Sequence, residues 1–549
     1  MIYELRKKTP GVIFAIAFAG VAAAYWKTLA FGFQYDDYHF VRPWTWAEWL
    51  QTLHGSWDPT KIESDFYRPI TAAWFALRFE LIGLNGVAAH AISLAAMIAC
   101  ACLAGLFVRR ETQSDRAALF GAGLYAIHPA FAYSQAVWLT NQMHLLASVI
   151  VLASLLVWQR VRDRPAVEWW PLVVLQLAAF GVKEDLVMLA PVLVALTILR
   201  RLMRGDVPRP PWPVVIGGIV LPAGCFWLRY TMLGRLGGYG PPPHLDQAWT
   251  NFITGLLGVF RQVPARRPWQ GVASVFSQAV LAAGAIGGII RRREAHLLAT
   301  GLVIAIFFDA PFVFVAKAEQ YHLVALGAVL ALAGAIDVIV SIAPRGLGRA
   351  AAVAAMALAS LSFLPPARSM ADDFAPCSPI TLRTDAIVLD WWVVPPEIQD
   401  WLRDKPAACR EHRLVPLPAA LMSATWAYGA DVDEHGRRSQ WTSDRAVIML
   451  APRVTDARLG VWSPVAAAEH AVTVRAHGAG ADATVRLAGD DWQSIPLHVS
   501  ATFWAWLRRM NRVDVDIAPT FVPAEIDPSS ADRRRLGVRL RIDEVTVAR

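Results

Sequence analysis

Cysteine is scarce in this chain: 549 residues hold 5. No Cys-x-x-Cys pair and no Cys/His spacing of a zinc site occurs, so nothing points to a zinc module. Cys100, Cys102 and Cys225 fall inside apolar runs and read as small apolar residues. Charge is scarce too, with 17% charged residues against 56% hydrophobic. Mean hydropathy is +0.39. That balance excludes a disordered chain and argues against an ordinary soluble enzyme. Internal repeats and low-complexity tracts are missing as well. The net charge of +8 does not point to nucleic acid, because the basic residues gather in short loops between apolar runs.

What remains is a succession of long apolar segments. A membrane-crossing helix needs about 20 such residues. Run length predicts about eleven spans, near 11–31, 86–108, 116–134, 142–160, 168–182, 185–201, 212–230, 271–290, 296–315, 321–342 and 348–365. Arg6, Lys7 and Lys8 before the first run resemble the start of a signal peptide. That run is long enough to span and many others follow, so it reads as a retained helix. Basic loops at 109–110, 160–164, 200–209, 291–293 and 345–349 alternate correctly if they are cytoplasmic with the N-terminus. Arg261, Arg266 and Arg267 break the pattern. The apolar face of residues 249–261 suggests a helix lying on the membrane surface there.

After Pro365-Pro366 the apolar runs shorten. Alternating segments at 445–450, 471–477, 483–487, 494–499, 512–517 and 537–547 predict strands of an all-β sandwich or jelly roll. The expected organisation is a membrane domain over 1–366, a mixed linker over 367–425 and an extracytoplasmic β-sandwich over 426–549. Cys377 and Cys409 are the one cysteine pair outside the apolar part, and a disulfide between them is expected from an oxidising compartment.

The polar clusters fall on the non-cytoplasmic side of this topology. Asp36 and Asp37 follow the first span. Tyr67-Arg68-Pro69 closes the same loop. His128-Pro129 ends one span, and Asn141, Gln142 and His144 open the next. Lys183-Glu184-Asp185 forms a turn between spans. Arg229 and Arg235 flank another span end, and Glu319-Gln320-Tyr321-His322 begins a late helix. Ionisable groups at a membrane face are costly, so a functional role is the default reading. Each cluster has a structural alternative: Asp36/Asp37 as a helix cap, Lys183-Glu184 as an ion pair, Arg68 as a snorkelling cation, His128-Pro129 as a helix end. A carboxylate pair with several cations suits one chemistry. The acid takes a proton from an acceptor hydroxyl, and the cations hold a departing phosphate.

In their order these motifs resemble the GT-C glycosyltransferases. The resemblance runs from Asp36-Asp37 through Tyr67-Arg68-Pro69-Ile70-Thr71, Phe79-Glu80-Leu81-Ile82-Gly83-Leu84-Asn85 and His90. It continues with Ala126-Ile127-His128-Pro129, Ala136-Val137-Trp138, Val182-Lys183-Glu184 and Glu319-Gln320-Tyr321-His322-Leu323. The likeness is to the branch with tetratricopeptide-linked O-mannosyltransferases and their bacterial relatives, and it covers about residues 11–345. Gln320 stands where that branch has arginine. The resemblance implies a GT-C-like helical membrane fold and a polyprenyl-phosphate sugar donor, with a glycan, lipid or protein acceptor. It implies Asp36 as base with Asp37 as its partner. Arg68, Lys183 and Arg235 would neutralise the lipid phosphate. Tyr67, His128, Glu184, Glu319 and Tyr321 would contact substrate. A divalent metal is left open. The C-terminal motif Pro519-Thr520-Phe521-Val522-Pro523 with 532–538 resembles a carbohydrate-binding-like sandwich of envelope glycosyltransferases. The expected location is a bacterial inner or plasma membrane. Two other classes fit the composition: a lipid-linked-sugar flippase and a non-catalytic glycan-binding scaffold. The polar clusters gather at one face and no repeat is visible, which favours the enzyme over a transporter.

Overall fold

An apolar backbone in lipid must satisfy its own N–H and C=O groups, so the long runs become helices. The computed structural model describes residues 2–31, 37–58, 66–204, 212–234, 245–261, 268–290, 295–313, 321–374, 420–422, 427–432, 438–464, 471–489, 491–500, 502–526, 529–530, 533 and 535–547. Asp36, Arg235, Glu319, Cys377 and Cys409 lie outside the described residues, and with them the expected disulfide. Six described helices are long and apolar enough to cross a membrane: Thr9–Ala30, Gly86–Thr112, Gln142–Val161, Glu184–Met203, Val215–Leu233 and His322–Ile342. Four expected spans are shorter apolar helices, Val167–Val182, Gln278–Ile289, His296–Phe312 and Val353–Pro365. The expected span 116–134 is instead a helix over Asp115–Ile127, followed by a π-helical turn over Ala132–Val137. Pro129 cannot donate to the helix ladder and pushes His128 into extended backbone, so the run stops there. The protein is integral to the membrane.

The chain divides into two compact units. The first comprises residues 1–29, 46–73 and 90–375. At its centre His322–Ile342 packs along His296–Asp309, and Leu323 to Leu332 are buried almost throughout. Glycine allows the approach: Gly301 faces the backbone of Ala331, Gly327 that of Ala305, and Gly334 that of Leu298, with no space for a side chain at any of the three. Polar bonds tie the basic ends of several helices together. Arg162 bonds Glu111 at 2.7 Å, His296 meets Glu111 at 3.1 Å, and Arg200 bonds Asp163 at 3.0 Å. These loops therefore share one side of the unit, as the alternation of basic loops requires. The helix Arg345–Phe374 continues past Pro365-Pro366.

The second unit comprises residues 30–45, 74–89 and 376–549. Among the described residues ten strands run in order: β1 (Ala420–Met422), β2 (Ala427–Val432), β3 (Arg438–Thr442), β4 (Arg445–Leu450), β5 (Val454–Trp462), β6 (Val472–Gly478), β7 (Ala481–Leu487), β8 (Gln493–His498), β9 (Asn511–Ala518) and β10 (Arg539–Val547). They form two five-stranded antiparallel sheets, β1-β4-β9-β6-β7 and β2-β3-β10-β5-β8. The alternation has its expected cause: Val472, Val474 and Ala476 are buried while Thr473 and Arg475 are exposed. Gly478 and Gly480, at φ +109° and +87°, turn the hairpin between β6 and β7. Strand β1 pairs with β4.

Across the second sheet, register aligns Trp441, Arg539 and Trp462, on three adjacent strands. The Arg539 guanidinium lies 5.8 Å and 5.9 Å from the two indole centres, and Arg541 covers Trp492 at 4.0 Å. These ring faces are taken up by the protein's own cations, which makes the row a brace for the sheet.

Candidate active site

In the first unit the helix Trp170–Val182 ends because Lys183 turns extended, at φ −158° and ψ 142°. A tight 3-10 turn, Glu184–Met188, follows. Thr71 Oγ1 donates to the Val182 carbonyl at 2.8 Å, and Gln176 Nε2 donates to that of Leu186 at 3.0 Å. The carbonyls that helix termini leave unsatisfied are thereby bonded. The turn aims three consecutive ionisable side chains inward.

Arg68, immediately before Pro69 at the start of the helix Pro69–Ile82, meets this turn. Its Nε and Nη2 donate to the two Glu184 oxygens at 2.8 and 2.6 Å, a bidentate fork. Its remaining Nη1 points at Met143 Sδ, 3.3 Å away. The guanidinium lies 4.1 Å from the Phe66 ring centre and 4.6 Å from that of Trp57. Lys183 is fully buried and donates to Asp185 Oδ2 at 2.8 Å, not to the adjacent Glu184. Arg229 is buried, its guanidinium 5.7 Å from the same Phe66 ring centre. Three cations and two carboxylates thus share one buried cluster. The sequence offered Arg68, Lys183 and Glu184 as candidate residues, which the fold places together. It did not foresee that Arg68 and Glu184, 116 residues apart, bond each other.

Tyr67 packs on Phe180 and donates to the Leu53 carbonyl at 3.3 Å. Burial pushes its hydroxyl pKa upward. His128 is buried against Phe131 and Phe363, and its carbonyl accepts from Tyr25 Oη at 3.0 Å, as a histidine closing a helix would. Tyr321 stands edge-on to Phe312 at 5.5 Å, and the Lys183 ammonium lies 5.4 Å from the same Phe312 ring. Gly255 packs against both Tyr321 and the buried carboxylate of Asp309. Asp309 went unread in the sequence because it sits inside an apolar run. A lone acid in such a run was itself the available signal. Among the described residues, no group of three or more His, Cys, Asp or Glu converges as a metal site would.

In the second unit Asp37 opens the short helix Asp37–Phe40 and is fully buried. Phe40 packs on Phe75 at 5.1 Å. Arg78, one turn beyond Phe75, is buried too. Burial lowers its guanidinium pKa to about 10, against the opposing influence of the Asp37 carboxylate. Arg42, also buried, stacks on Trp44 at 4.4 Å and donates to the Pro43 carbonyl at 3.1 Å. Asp37 therefore belongs to an internal acid–guanidinium set.

No family model matches the chain, and no characterised protein matches it by sequence. Among solved structures it is similar to the oligosaccharyltransferase of Archaeoglobus fulgidus in its apo form, with TM-score 0.43, 14% identity and 75% of this chain covered. The archaeal oligosaccharyltransferase AglB from Archaeoglobus fulgidus, in complex with an inhibitory peptide and a dolichol-phosphate, gives TM-score 0.43 and 15% identity, again over 75% of this chain. The chain spans about 60% of the length of these matches. The arabinosyltransferase EmbB of Mycobacterium smegmatis aligns over 98% of this chain and 64% of its own, with TM-score 0.27 and 11% identity. These neighbours are GT-C-fold glycosyltransferases.

Proposed function

We propose that this protein transfers a sugar from a polyprenyl-phosphate donor to an acceptor hydroxyl at the non-cytoplasmic membrane face. The observation that carries the reading is the buried cluster of Arg68, Glu184, Lys183, Asp185 and Arg229 in the membrane unit. Ionisable groups held inside a membrane protein are candidates for function by default. A phosphate leaving group suits the cations among them, and preorganised cations stabilise the charge that develops on it.

In this mechanism the Asp36 carboxylate removes the acceptor hydroxyl's proton. The acceptor oxygen attacks the anomeric carbon, the bond from that carbon to the phosphate oxygen breaks, and the polyprenyl phosphate leaves with the electron pair. Asp37, buried beside Arg78, suits a supporting role rather than direct proton transfer. Arg68, oriented by Glu184, acts with Lys183 and Arg235 on the phosphate. Tyr67, His128, Glu319 and Tyr321 shape the substrate's surroundings. General-base removal costs about 10²–10⁴-fold in rate. Asp36→Asn is accordingly expected to lose transfer by that order with its melting temperature unchanged, while Asp37→Asn lowers the melting temperature as well. Near-normal turnover in both variants, measured by mass spectrometry of the product, would sink this assignment.

A further inference from the structure

The short helix Phe503–Arg508, between β8 and β9, carries its apolar residues outward. Phe503, Trp504 and Trp506 are 66%, 58% and 59% exposed, while Ala505 is buried beneath them. Thr502 caps the helix by accepting from the Ala505 amide at 3.0 Å, and Arg509 ends it in left-handed backbone at φ +56°. Arg508 and Arg509 lie 5.9 and 5.7 Å from the Trp504 and Trp506 ring centres. Indoles flanked by arginines are the composition of a membrane–water interface, where rings sit among headgroups and guanidiniums meet phosphates.

The helix is also held where a span begins. The Leu84 amide donates to the Arg508 carbonyl at 2.8 Å, and Asn85 Nδ2 donates to that of Leu507 at 2.7 Å. Asn85 Oδ1 meanwhile accepts from the Ala88 amide at 3.1 Å, capping the first turn of Gly86–Thr112, a candidate span. One side chain thus bonds the aromatic helix and starts the membrane helix. Gly83, at φ +54°, lies against the Arg508 backbone with no space for a side chain, and Arg512 bonds Glu80 at 2.9 Å. Leu77, Leu81 and Val87, on either side of this turn, are exposed apolar residues as well.

We propose that Phe503–Arg508 is a membrane anchor of the two-sheet region, seating Phe503, Trp504 and Trp506 in the headgroup layer of the bilayer that Gly86–Thr112 enters. The occupant is lipid. A glycan stacked on the same indoles is the competing outcome. The test uses the full chain in nanodiscs of phosphatidylethanolamine and phosphatidylglycerol. A benzophenone amino acid replaces Trp504 in one variant, Trp506 in a second, and exposed Thr484 on β7 in a control. Illumination is expected to give phospholipid adducts at 504 and 506 and none at 484. Adducts absent at 504 and 506, or equal at all three positions, overturn the proposal, as does crosslinking at 504 to an added oligosaccharide in place of lipid. The unmodified chain supplies a second readout. Hydroxyl-radical footprinting in nanodiscs should leave Phe503, Trp504 and Trp506 protected despite their exposure, and heavy oxidation of all three would contradict the anchor.

Discussion

At the scale of residues, the most consequential bond is the fork from Arg68 to Glu184. Its cation is 1% exposed, so neither charge can be left alone cheaply. Removing one partner of a buried pair typically costs about 3–5 kcal/mol. Arg68→Ala is expected to destabilise the first unit by that order, and Arg68→Lys to recover the charge but not the two parallel bonds. Thermal unfolding of the purified protein in detergent checks this, and an unshifted midpoint in Arg68→Ala would show that the fork bears no weight. The residue types here were legible because arginine, lysine and glutamate stand out in apolar surroundings. Their pairing was not, because Lys183, Glu184 and Asp185 are adjacent in sequence and only the extended Lys183 backbone decides which faces which. Asp37 was legible as notable, but its full burial at the start of a short helix was not.

At the scale of elements, run length found the long helices and alternation found β4 and β6 to β10. It missed β5, whose nine residues do not alternate in burial, and β2, which is as long as β4. Strands β1 and β3 span 3 and 5 residues and carry too few alternations to register. The six-residue helix Phe503–Arg508 was hidden in the same way. The contact of His296–Asp309 with His322–Ile342 rests on glycine rather than on any apolar pattern. Overpacking a close contact costs about 1–3 kcal/mol, and backbone leaves less room to yield than side chains do. Gly301→Leu should therefore lower the yield of folded protein in membranes, measured by size-exclusion chromatography, whereas Gly224→Leu, with open space around it, should not. In β9, burial alone would raise the Asp514 pKa, but the Arg512 and Arg445 guanidiniums outweigh it and hold it below the usual value. A depressed carboxyl contributes stability that is full above its unfolded pKa, about 4 for aspartate, and is lost as pH falls through the folded value. Hydrogen exchange of β9 should accelerate across that acid range, and Asp514→Asn should flatten the dependence. An unchanged profile in that variant would assign the acid sensitivity elsewhere.

At the scale of the whole molecule, a membrane unit with its buried charges at helix ends and a two-sheet unit with an aromatic helix are joined in one chain. Composition alone made the membrane class legible, since low charge and long apolar runs leave few other options. The proposed function rests, in the sequence, on the order of weak motifs, because no single one demands its chemistry. The measurement that tests the account most directly is sugar transfer by the purified full chain in proteoliposomes. Donors are offered in parallel as a synthetic polyprenyl-phosphate sugar and as the matching nucleotide sugar, with products read by mass spectrometry. The account predicts product from the lipid donor alone, lost in Asp36→Asn and weakened in Lys183→Ala. Transfer from the nucleotide sugar without any lipid carrier, or lipid-dependent transfer that survives in Asp36→Asn, would contradict it.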